Sequence, residues 1–170
     1  ALHVAIENDS FEAAGALITM GANIFSRNAN GITALDLAVT KNPNYYDIFV
    51  TTKTGEIRDT EGKTIVHYFV ETYNNEGIVY CIKKNIPISV KDDNNRTPLD
   101  IAFANIENED CVEIAATLIY GGAEQVETEY SYFQDALTSR NLSYIFDDGQ
   151  TPLHFSTING HKSITKYLLE

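Results

Sequence analysis

Four histidines are the residues of this chain best suited to chemistry, because imidazole can bind a metal or act as a general base near neutral pH. His3, His67 and His154 occupy the same place in a short phrase that recurs along the chain, and His161 follows a glycine. Other copies of the phrase carry aspartate at that place. A position shared by histidine and aspartate predicts a repeated hydrogen bond between neighbouring turns. We therefore expect the four histidines to stabilise the fold rather than to form a metal or catalytic site.

Cysteines and acidic runs are the other candidates for chemistry. Cys81 and Cys111 fall on apolar stretches predicted to be helical, where a free cysteine behaves as a small buried hydrophobic residue. A cysteine nucleophile would need a base beside it in an open pocket. The run Asp92–Asn95 begins like a calcium loop, but the sixth residue is not glycine and the twelfth is not glutamate, as an EF-hand requires. The sequence therefore predicts no catalytic residue, no metal site and no cofactor, and hence no enzyme.

The recurring phrase combines a turn, a helix start and a hydrophobic anchor. In its best-preserved copy, Gly149–His154, the glycine permits a positive φ, the threonine can cap the next helix, and the proline suits the first helical position. The spacing from Ala1 to Ala34 is 33 residues, from Ala34 to Ile65 it is 31, and from Ile65 to Pro98 it is 33. The more divergent copies are Ala1–His3, Gly31–Asp36, Gly62–His67 and Arg96–Asp100.

A period near 33 residues that carries T-P-L-H-x-A is the signature of the ankyrin repeat, and the chain resembles the ankyrin-repeat family over essentially its whole length. The resemblance implies an all-α solenoid of stacked helix-turn-helix units with projecting hairpin loops. We expect one domain over residues 1–170 with about five to six repeats. We also expect it to be a segment of a longer protein, because neither end has a polar capping repeat. The expected units are 1–26, 27–57, 58–90, 91–123, a degenerate unit at 124–146 and a partial unit at 147–170.

Five segments outside the phrase carry separate expectations. Tyr45–Val50 is aromatic and β-branched, yet we predict a second helix there because the stack needs one. Thr51–Asp59 is predicted to be a loop, and Ile86–Val90 alternates like an extended strand. Phe69 stands where the family has a small alanine, so the packing around it must adjust. About four residues are inserted between two helices around Glu107–Asp110.

The degenerate unit is the largest departure. Ala136–Leu142 matches Ala5–Phe11 of the first repeat in pattern, so the unit is expected to have a first helix, no T-P-L-H phrase and a shortened second helix. Tyr130 and Tyr132 belong to an aromatic stretch in this unit. The rings either repair the core where the second helix is short, or are exposed as anchors for a partner.

Composition restricts the classes of partner. The formal net charge is −12 and the isoelectric point is about 4.6, which argues against nucleic-acid binding and against anionic membrane surfaces. No apolar run approaches the ~20 residues that span a bilayer. Two cysteines favour a reducing, cytoplasmic location, with delivery into a host cell as an effector as an alternative.

The family resemblance implies a non-catalytic scaffold that binds another protein through its concave face, built from first helices and loop tips. The charge favours a partner with a basic patch, and we expect a monomer. The alternatives are a targeting or regulatory arm of a larger enzyme, channel or secreted effector, and a structural or self-associating solenoid. The expected contact residues are Glu7, Asn8, Arg27, Asn28, Lys41, Glu56, Arg58, Glu71, Thr72, Lys91, Asp92, Asp93, Asn105, Tyr130 and Tyr132.

Overall fold

The computed structural model describes residues 1–124, 126, 128–138 and 149–169, and its described part is built from short α-helices. The helices are α1 (Leu2–Glu7), α2 (Phe11–Thr19), α3 (Ala34–Lys41), α4 (Tyr46–Phe49), α5 (Thr52–Gly55), α6 (Ile65–Glu71), α7 (Asn75–Lys83), α8 (Pro98–Ala104), α9 (Glu109–Tyr120), α10 (Ser131–Thr138), α11 (Pro152–Ile158) and α12 (Lys162–Leu169), with a 3₁₀-helix η1 (Pro43–Tyr45) before α4.

The helices stack in two rows. Short turns join α1 to α2, α6 to α7 and α8 to α9, and the two helices of each pair pack together. First helices pack on first helices, as α1 does on α3 and α6 on α8, while α2 packs on α4 and α7 on α9. One hydrophobic cluster extends through the array from Leu2 to Ile164. Within the described residues no β-strand forms, apart from an isolated antiparallel bridge between Arg27 and Thr33, and the predicted all-α solenoid is confirmed.

Side-chain caps fix where the first helices begin. In α3 the hydroxyl of Thr33 accepts from the backbone N–H of Asp36 at 3.0 Å, and the aspartate accepts the hydroxyl proton at 2.8 Å. Thr97 and Asp100 repeat this arrangement at the start of α8, at 3.1 and 2.8 Å. Such a capping box satisfies backbone donors that have no partner within the helix. The threonine of the phrase is therefore a helix start, as the sequence predicts.

Two second helices end on residues with a left-handed backbone. Gly21 after α2 has a φ of 93°, and Asn85 after α7 has a φ of 55°. Glycine and asparagine are the residues that tolerate this conformation at a helix C-terminus. Both helix stops agree with the sequence prediction.

The irregular second repeat is only partly as predicted. The second helix expected over Tyr45–Val50 is present but split into η1 and the four-residue α4. Aromatic packing holds it in place, since the ring of Tyr45 stacks on Phe11 at 4.4 Å and that of Tyr46 stacks on Tyr80 at 4.8 Å. Side-chain packing thus overrides a weak helix propensity.

Two predictions for the connecting segments are wrong. Thr51–Asp59 is not a continuous loop, because Thr51 caps the helix α5 through the N–H of Thr54. A Cβ at Gly55 would stand 2.8 Å from the Ile86 side chain, so the lack of a side chain lets α5 approach the next loop closely. Ile86–Val90 is not a strand either. Ile86 and Ile88 instead bury their side chains in the core, and a strand would need a backbone partner along its length.

Phe69 fits into α6 because the neighbouring helix offers a glycine. A Cβ placed on Gly77 of α7 would lie 2.7 Å from three ring carbons of Phe69. The ring is fully buried and also makes an edge contact with Tyr46, with centroids 6.0 Å apart. The adjustment predicted around Phe69 is therefore the glycine at position 77, whose missing side chain leaves room for the ring within the same repeat.

The C-terminal part departs most from a regular array. Helix α10 supplies the predicted first helix of the degenerate unit, although it starts at Ser131, earlier than the sequence pattern indicates. Helix α12 lies directly against α9, where the hydroxyl of Ser163 donates to the carbonyl of Glu107 at 2.6 Å and Lys166 pairs with Glu109 at 2.5 Å. The shortened second helix predicted for the unit falls on residues 139–146, outside the described residues.

The insertion between α8 and α9 is partly helical. Asn108 accepts from the N–H of Asp110 at 2.9 Å and caps α9, which begins at Glu109. The extra residues around Glu107–Asp110 thus lengthen the start of α9 as well as the turn before it.

Candidate partner-binding surface

The first helices and the loops between repeats form one continuous face. The Nε2 atom of His3 on α1 lies 3.0 Å from the carbonyl oxygen of Ile32 in the following loop. The Nε2 atom of His67 on α6 lies 3.1 Å from the carbonyl oxygen of Arg96, one loop further along the array. These bonds hold the loops at 27–33 and 91–96 beside a first helix. We call the exposed side chains of α1, α3, α6 and α8, with those of the loops at 27–33, 56–63 and 91–96, the first-helix face.

His67 shows how the phrase histidine works. Its Nδ1 atom accepts from the backbone N–H of Thr64 at 3.1 Å, which requires the proton to be on Nε2, where it is donated to the carbonyl of Arg96. The side chain is fully buried, and this burial lowers the pKa of His67. His154 makes the same cap on Thr151, at 3.3 Å, and His161 accepts from or donates to the hydroxyl of Tyr132 at 2.9 Å. The hydrogen-bonding role predicted for the phrase histidines is thus present.

The two cysteines, which were the other candidates for chemistry, are packed in the core. Cys81 and Cys111 are free and buried, and burial raises the pKa of the Cys81 thiol to about 12. A buried thiol with a raised pKa is a poor nucleophile. In the described part of the chain, no group of three or more histidine, cysteine or acidic side chains is arranged to hold a metal ion.

Most of the predicted contact residues are exposed where the family resemblance places them. Several are already anchored within the protein. The ammonium of Lys41 caps α1 by donating to the carbonyl of Glu7 at 2.5 Å, and Arg58 donates to the carbonyls of Gly62 and Lys91 at 2.8 and 3.1 Å. The exposed members of the predicted set are Glu7, Asn8, Arg27, Lys41, Glu56, Arg58, Glu71, Thr72, Lys91, Asp93 and Asn105, while Asn28 and Tyr130 are half-buried.

Hydrogen bonds also join neighbouring loop tips. The backbone N–H of Asp93 donates to the carbonyl of Glu61 at 3.0 Å, and Arg58 bridges the same two loops. Glu71 on α6 pairs with Lys63 at 2.7 Å. A surface tied together in this way loses little conformational entropy when it binds a partner.

Asp92 does not present its side chain at a loop tip, contrary to the expectation from the sequence. Its carboxylate is fully buried in the turn and accepts from the backbone N–H groups of Asn94 and Arg96, both at 2.9 Å, and from the Arg96 guanidinium at 3.0 Å. Burial opposes ionisation, but the bonds from Arg96 and Asn94 outweigh it and lower the pKa of Asp92. The residue shapes the loop instead of facing outward.

Tyr132 is likewise buried, with 5% of its surface exposed, so it is not an exposed anchor. Tyr130 stacks on Phe103 of α8, with centroids 5.4 Å apart, and lies beside His161. Both rings are therefore packed against other side chains, which agrees with the interpretation that they repair the core.

Three apolar residues on or beside the first-helix face, Val4, Phe25 and Tyr68, were missed as candidates from the sequence. The ring of Tyr68 contacts Phe25 at 5.7 Å, and its hydroxyl lies 2.8 Å from the hydroxyl of Thr33. Tyr68 and Val4 hold the same place in the phrase, directly after the histidine, and Val4 is 56% exposed. The fifth place of the phrase does not by itself predict exposure, because Ile101 holds it in a later copy and is only 4% exposed. The face thus carries some apolar side chains beside its polar ones.

Comparisons with known proteins agree with this geometry. The family model described as "Ankyrin repeat" matches residues 148–170. The ankyrin repeat domain of Bcl-3, described as a unique member of the IkappaB protein family, is similar in structure with a TM-score of 0.55 and 19% identity, covering 99% of this chain and 84% of that one. EF0377, an ankyrin repeat protein, gives a TM-score of 0.51 and 19% identity, covering 99% of this chain and 79% of that one. Curated protein sequences give no significant match.

The chain therefore contains an ankyrin repeat and has the ankyrin-repeat fold, which confirms the assignment made from the sequence. Ankyrin repeats are generally non-catalytic modules for protein–protein interaction. None of the described helices is both long and apolar enough to cross a membrane.

Proposed function

We propose that this chain is a non-catalytic scaffold that binds a partner protein through its first-helix face. The observation that carries the proposal is the bonding of the loop tips to the helices and to one another. His3 fixes the loop at Ile32, His67 fixes the loop at Arg96, and the bond from Asp93 to Glu61 joins two loops. The loops that carry the exposed polar side chains are thus held in place before a partner arrives.

The partner is proposed to carry a basic patch. The formal net charge of −12 makes a basic surface the favoured electrostatic complement. On the first-helix face, Glu7, Glu56 and Asp93 are exposed acidic residues. Charged contacts of this kind steer association and weaken as salt is added.

The proposed organisation is one monomeric array over residues 1–170, with the unit boundaries given by the sequence. We place it in a reducing compartment such as the cytoplasm, because Cys81 and Cys111 are free thiols packed in the core. The second candidate function is a targeting or regulatory arm of a larger protein. It uses the same binding face, and the effect of deleting residues 1–170 from the full protein on its location and activity distinguishes the two.

The test compares two sets of charge reversals of equal size. The face set is Glu7→Lys, Glu56→Lys and Asp93→Lys. The control set is Glu12→Lys, Glu76→Lys and Asp110→Lys, which are exposed on second helices. Full-length protein carrying each set is used for affinity capture, and the recovered partner is titrated by calorimetry at low and high salt.

We expect wild type and the control set to bind the same partner, and the face set to lose it while unfolding at an unchanged temperature. Equal binding by both sets, or an equal loss by both, would show that the first-helix face is not the contact surface. Affinity that does not change with salt would remove the proposed basic patch.

A further inference from the structure

The loop 27–33 of the first-helix face ends in a tight turn. The backbone N–H of Gly31 donates to the carbonyl of Asn28 at 2.9 Å, and the side chain of Asn28 accepts from the N–H of Asn30 at 3.0 Å. Gly31 has a φ of 77°, and apart from its chain neighbours no atom lies within 4 Å of the place where a Cβ would stand. Asn30 is exposed, so a free side-chain amide lies beside a peptide nitrogen that no side chain shields.

This arrangement favours a reaction within the chain, because neighbouring groups meet at a high effective concentration. Once hydroxide has removed its proton, the nitrogen of Gly31 attacks Cγ of Asn30. An N–Cγ bond forms, the Cγ–Nδ2 bond breaks, and Nδ2 takes a proton from water and leaves as ammonia. Water then opens the five-membered succinimide ring at either carbonyl, which leaves aspartate or β-linked isoaspartate at position 30. One water is consumed and one ammonia is released.

A second loop of the face, at 92–96, has the same turn but a different residue after the asparagine. Asn94 holds the place of Asn30, is exposed, and donates its N–H to the carboxylate of Asp92 at 2.9 Å. The next residue, Asn95, has a φ of 63° and donates its N–H to the carbonyl of Asp92 at 3.0 Å. Its Cβ crowds the closure of a succinimide ring, whereas glycine has none. Asn94 is therefore a matched comparison within the same molecule.

From this geometry we propose that Asn30 is a site of spontaneous deamidation, which alters the loop 27–33 as the protein ages. The aspartate product fits the turn, because Glu61 holds the same place in the turn at 59–63 and there donates its N–H to the side chain of Asp59 at 2.9 Å. This product adds one negative charge to the first-helix face. The reaction does not depend on the proposed function, whereas any effect of it on partner affinity does.

The isoaspartate product distorts the turn. It inserts one carbon into the main chain between Asn30 and Gly31, so the N–H groups that follow no longer match the spacing of their acceptors on Asn28. One of them is the N–H of Ile32, which donates to the side chain of Asn28 at 3.0 Å. The carbonyl of Ile32 is also the group that lies 3.0 Å from Nε2 of His3. Isoaspartate would therefore weaken the hold of α1 on this loop.

The folded turn slows the reaction without preventing it. The N–H of Gly31 must leave the carbonyl of Asn28 before the nitrogen loses its proton. A hydrogen bond of ordinary net strength slows such a step by about two- to tenfold relative to the unfolded chain. Asn95 makes the equivalent bond in its own turn, so this factor is shared by the two sites.

Peptide mapping by mass spectrometry, after incubation of the whole chain at physiological pH and temperature, tests the proposal. In the wild type we expect deamidation at Asn30 to be severalfold faster than at Asn94, with isoaspartate identified by protein isoaspartyl methyltransferase. Two variants exchange the neighbours, since glycine and asparagine both tolerate a left-handed backbone. Gly31→Asn should slow the reaction at Asn30 severalfold, and Asn95→Gly should speed the reaction at Asn94 severalfold. The other asparagine–glycine pair, at 159–160, lies in a different tryptic peptide.

Equal rates at Asn30 and Asn94 in the wild type would overturn the proposal, as would rates that ignore the exchange of neighbours. An isolated peptide of residues 27–33 gives the rate without the fold. If the peptide reacts fully while Asn30 of the folded chain stays intact, the turn protects the site and the proposal is wrong. Should a variant fail to fold, the comparison of Asn30 with Asn94 in the wild type still decides the matter.

Discussion

Gly77 provides the sharpest test of how this array tolerates a phenylalanine in place of alanine. The perturbation is Gly77→Ala, which adds one methyl group to α7. In an exposed helix interior this change stabilises a protein by about 0.8–1 kcal/mol, because glycine has the greater freedom in the unfolded chain. At Gly77, however, the new Cβ would lie 2.7 Å from three carbons of the Phe69 ring.

The magnitude follows from two opposing effects. Forcing one extra carbon into a filled core costs about 1–3 kcal/mol. The ring of Phe69 is fully buried and contacts Tyr46, so it has little space in which to move. Set against the helix-propensity gain of about 1 kcal/mol, the expected net effect is a loss of about 0–2 kcal/mol.

The chain contains a matched control. Gly15 lies inside α2, and a Cβ there would lie 3.7 Å from the side chain of Ile48, an ordinary van der Waals distance. Gly15→Ala should therefore stabilise the protein by up to about 1 kcal/mol. The difference between the two variants, about 1–3 kcal/mol, isolates the overpacking against Phe69.

Urea unfolding, followed by circular dichroism and by tyrosine fluorescence, measures the effect, since the chain has 10 tyrosines and no tryptophan. Agreement of the two probes shows whether one transition describes this repeat array. A double-mutant cycle with Phe69→Ala completes the test. Phe69→Ala alone should cost about 3–5 kcal/mol, and adding Gly77→Ala to it should be neutral or stabilising because the clash is gone.

Two results would refute this reasoning. One is a Gly77→Ala variant as stabilised as Gly15→Ala, which would mean that the ring moves at no cost. The other is additivity of Gly77→Ala and Phe69→Ala within about 0.5 kcal/mol, the level expected for independent sites.

Three further predictions concern other contacts. Thr97→Ala removes the cap of α8 and should cost about 1 kcal/mol in urea unfolding, whereas Thr60→Ala at an exposed turn should change stability by less than about 0.5 kcal/mol; equal effects would contradict the cap. Lys41→Met removes the ammonium that caps α1 and should raise amide exchange in α1 more than in α9; a uniform change would contradict it. The thiols of Cys81 and Cys111 should react with a disulfide reagent only after urea is added, and rapid reaction of the folded protein would show that the core is open.

The repeated features of the fold could be predicted from the sequence because each depends on local chemistry. Threonine at the start of the phrase caps a helix whatever lies around it, and Gly21 stops α2 through its own backbone conformation. The same reasoning identified the histidines as structural, since aspartate replaces them in other copies. It also flagged Phe69 as a packing problem, although it did not locate Gly77 as the answer.

What could not be predicted depends on contacts between distant segments. Asp92 reads as a polar residue in a loop, and only the fold shows that the bonds from Asn94 and Arg96 turn its carboxylate inward. Thr52–Gly55 has no helical periodicity to detect in four residues, and its helix is set by the cap of Thr51 and by contact with Ile86. The exposure of Asp93 was therefore predicted correctly, whereas the exposure of Asp92 was predicted wrongly because bonds within the loop turn its carboxylate inward.

The first-helix face is best defined in the regular, described part of the array. There, second helices stack on second helices of neighbouring units, as α7 does on α9. Among the described helices that follow, α10 and α12 both contact α9; α12 is held by Ser163 and Lys166, and α10 places Tyr132 in the core. The described first helices of the regular units are therefore α1, α3, α6 and α8. The exposed candidates between Glu7 and Asn105 all lie within that part, and a partner that reads a regularly spaced row of first helices is expected to bind there.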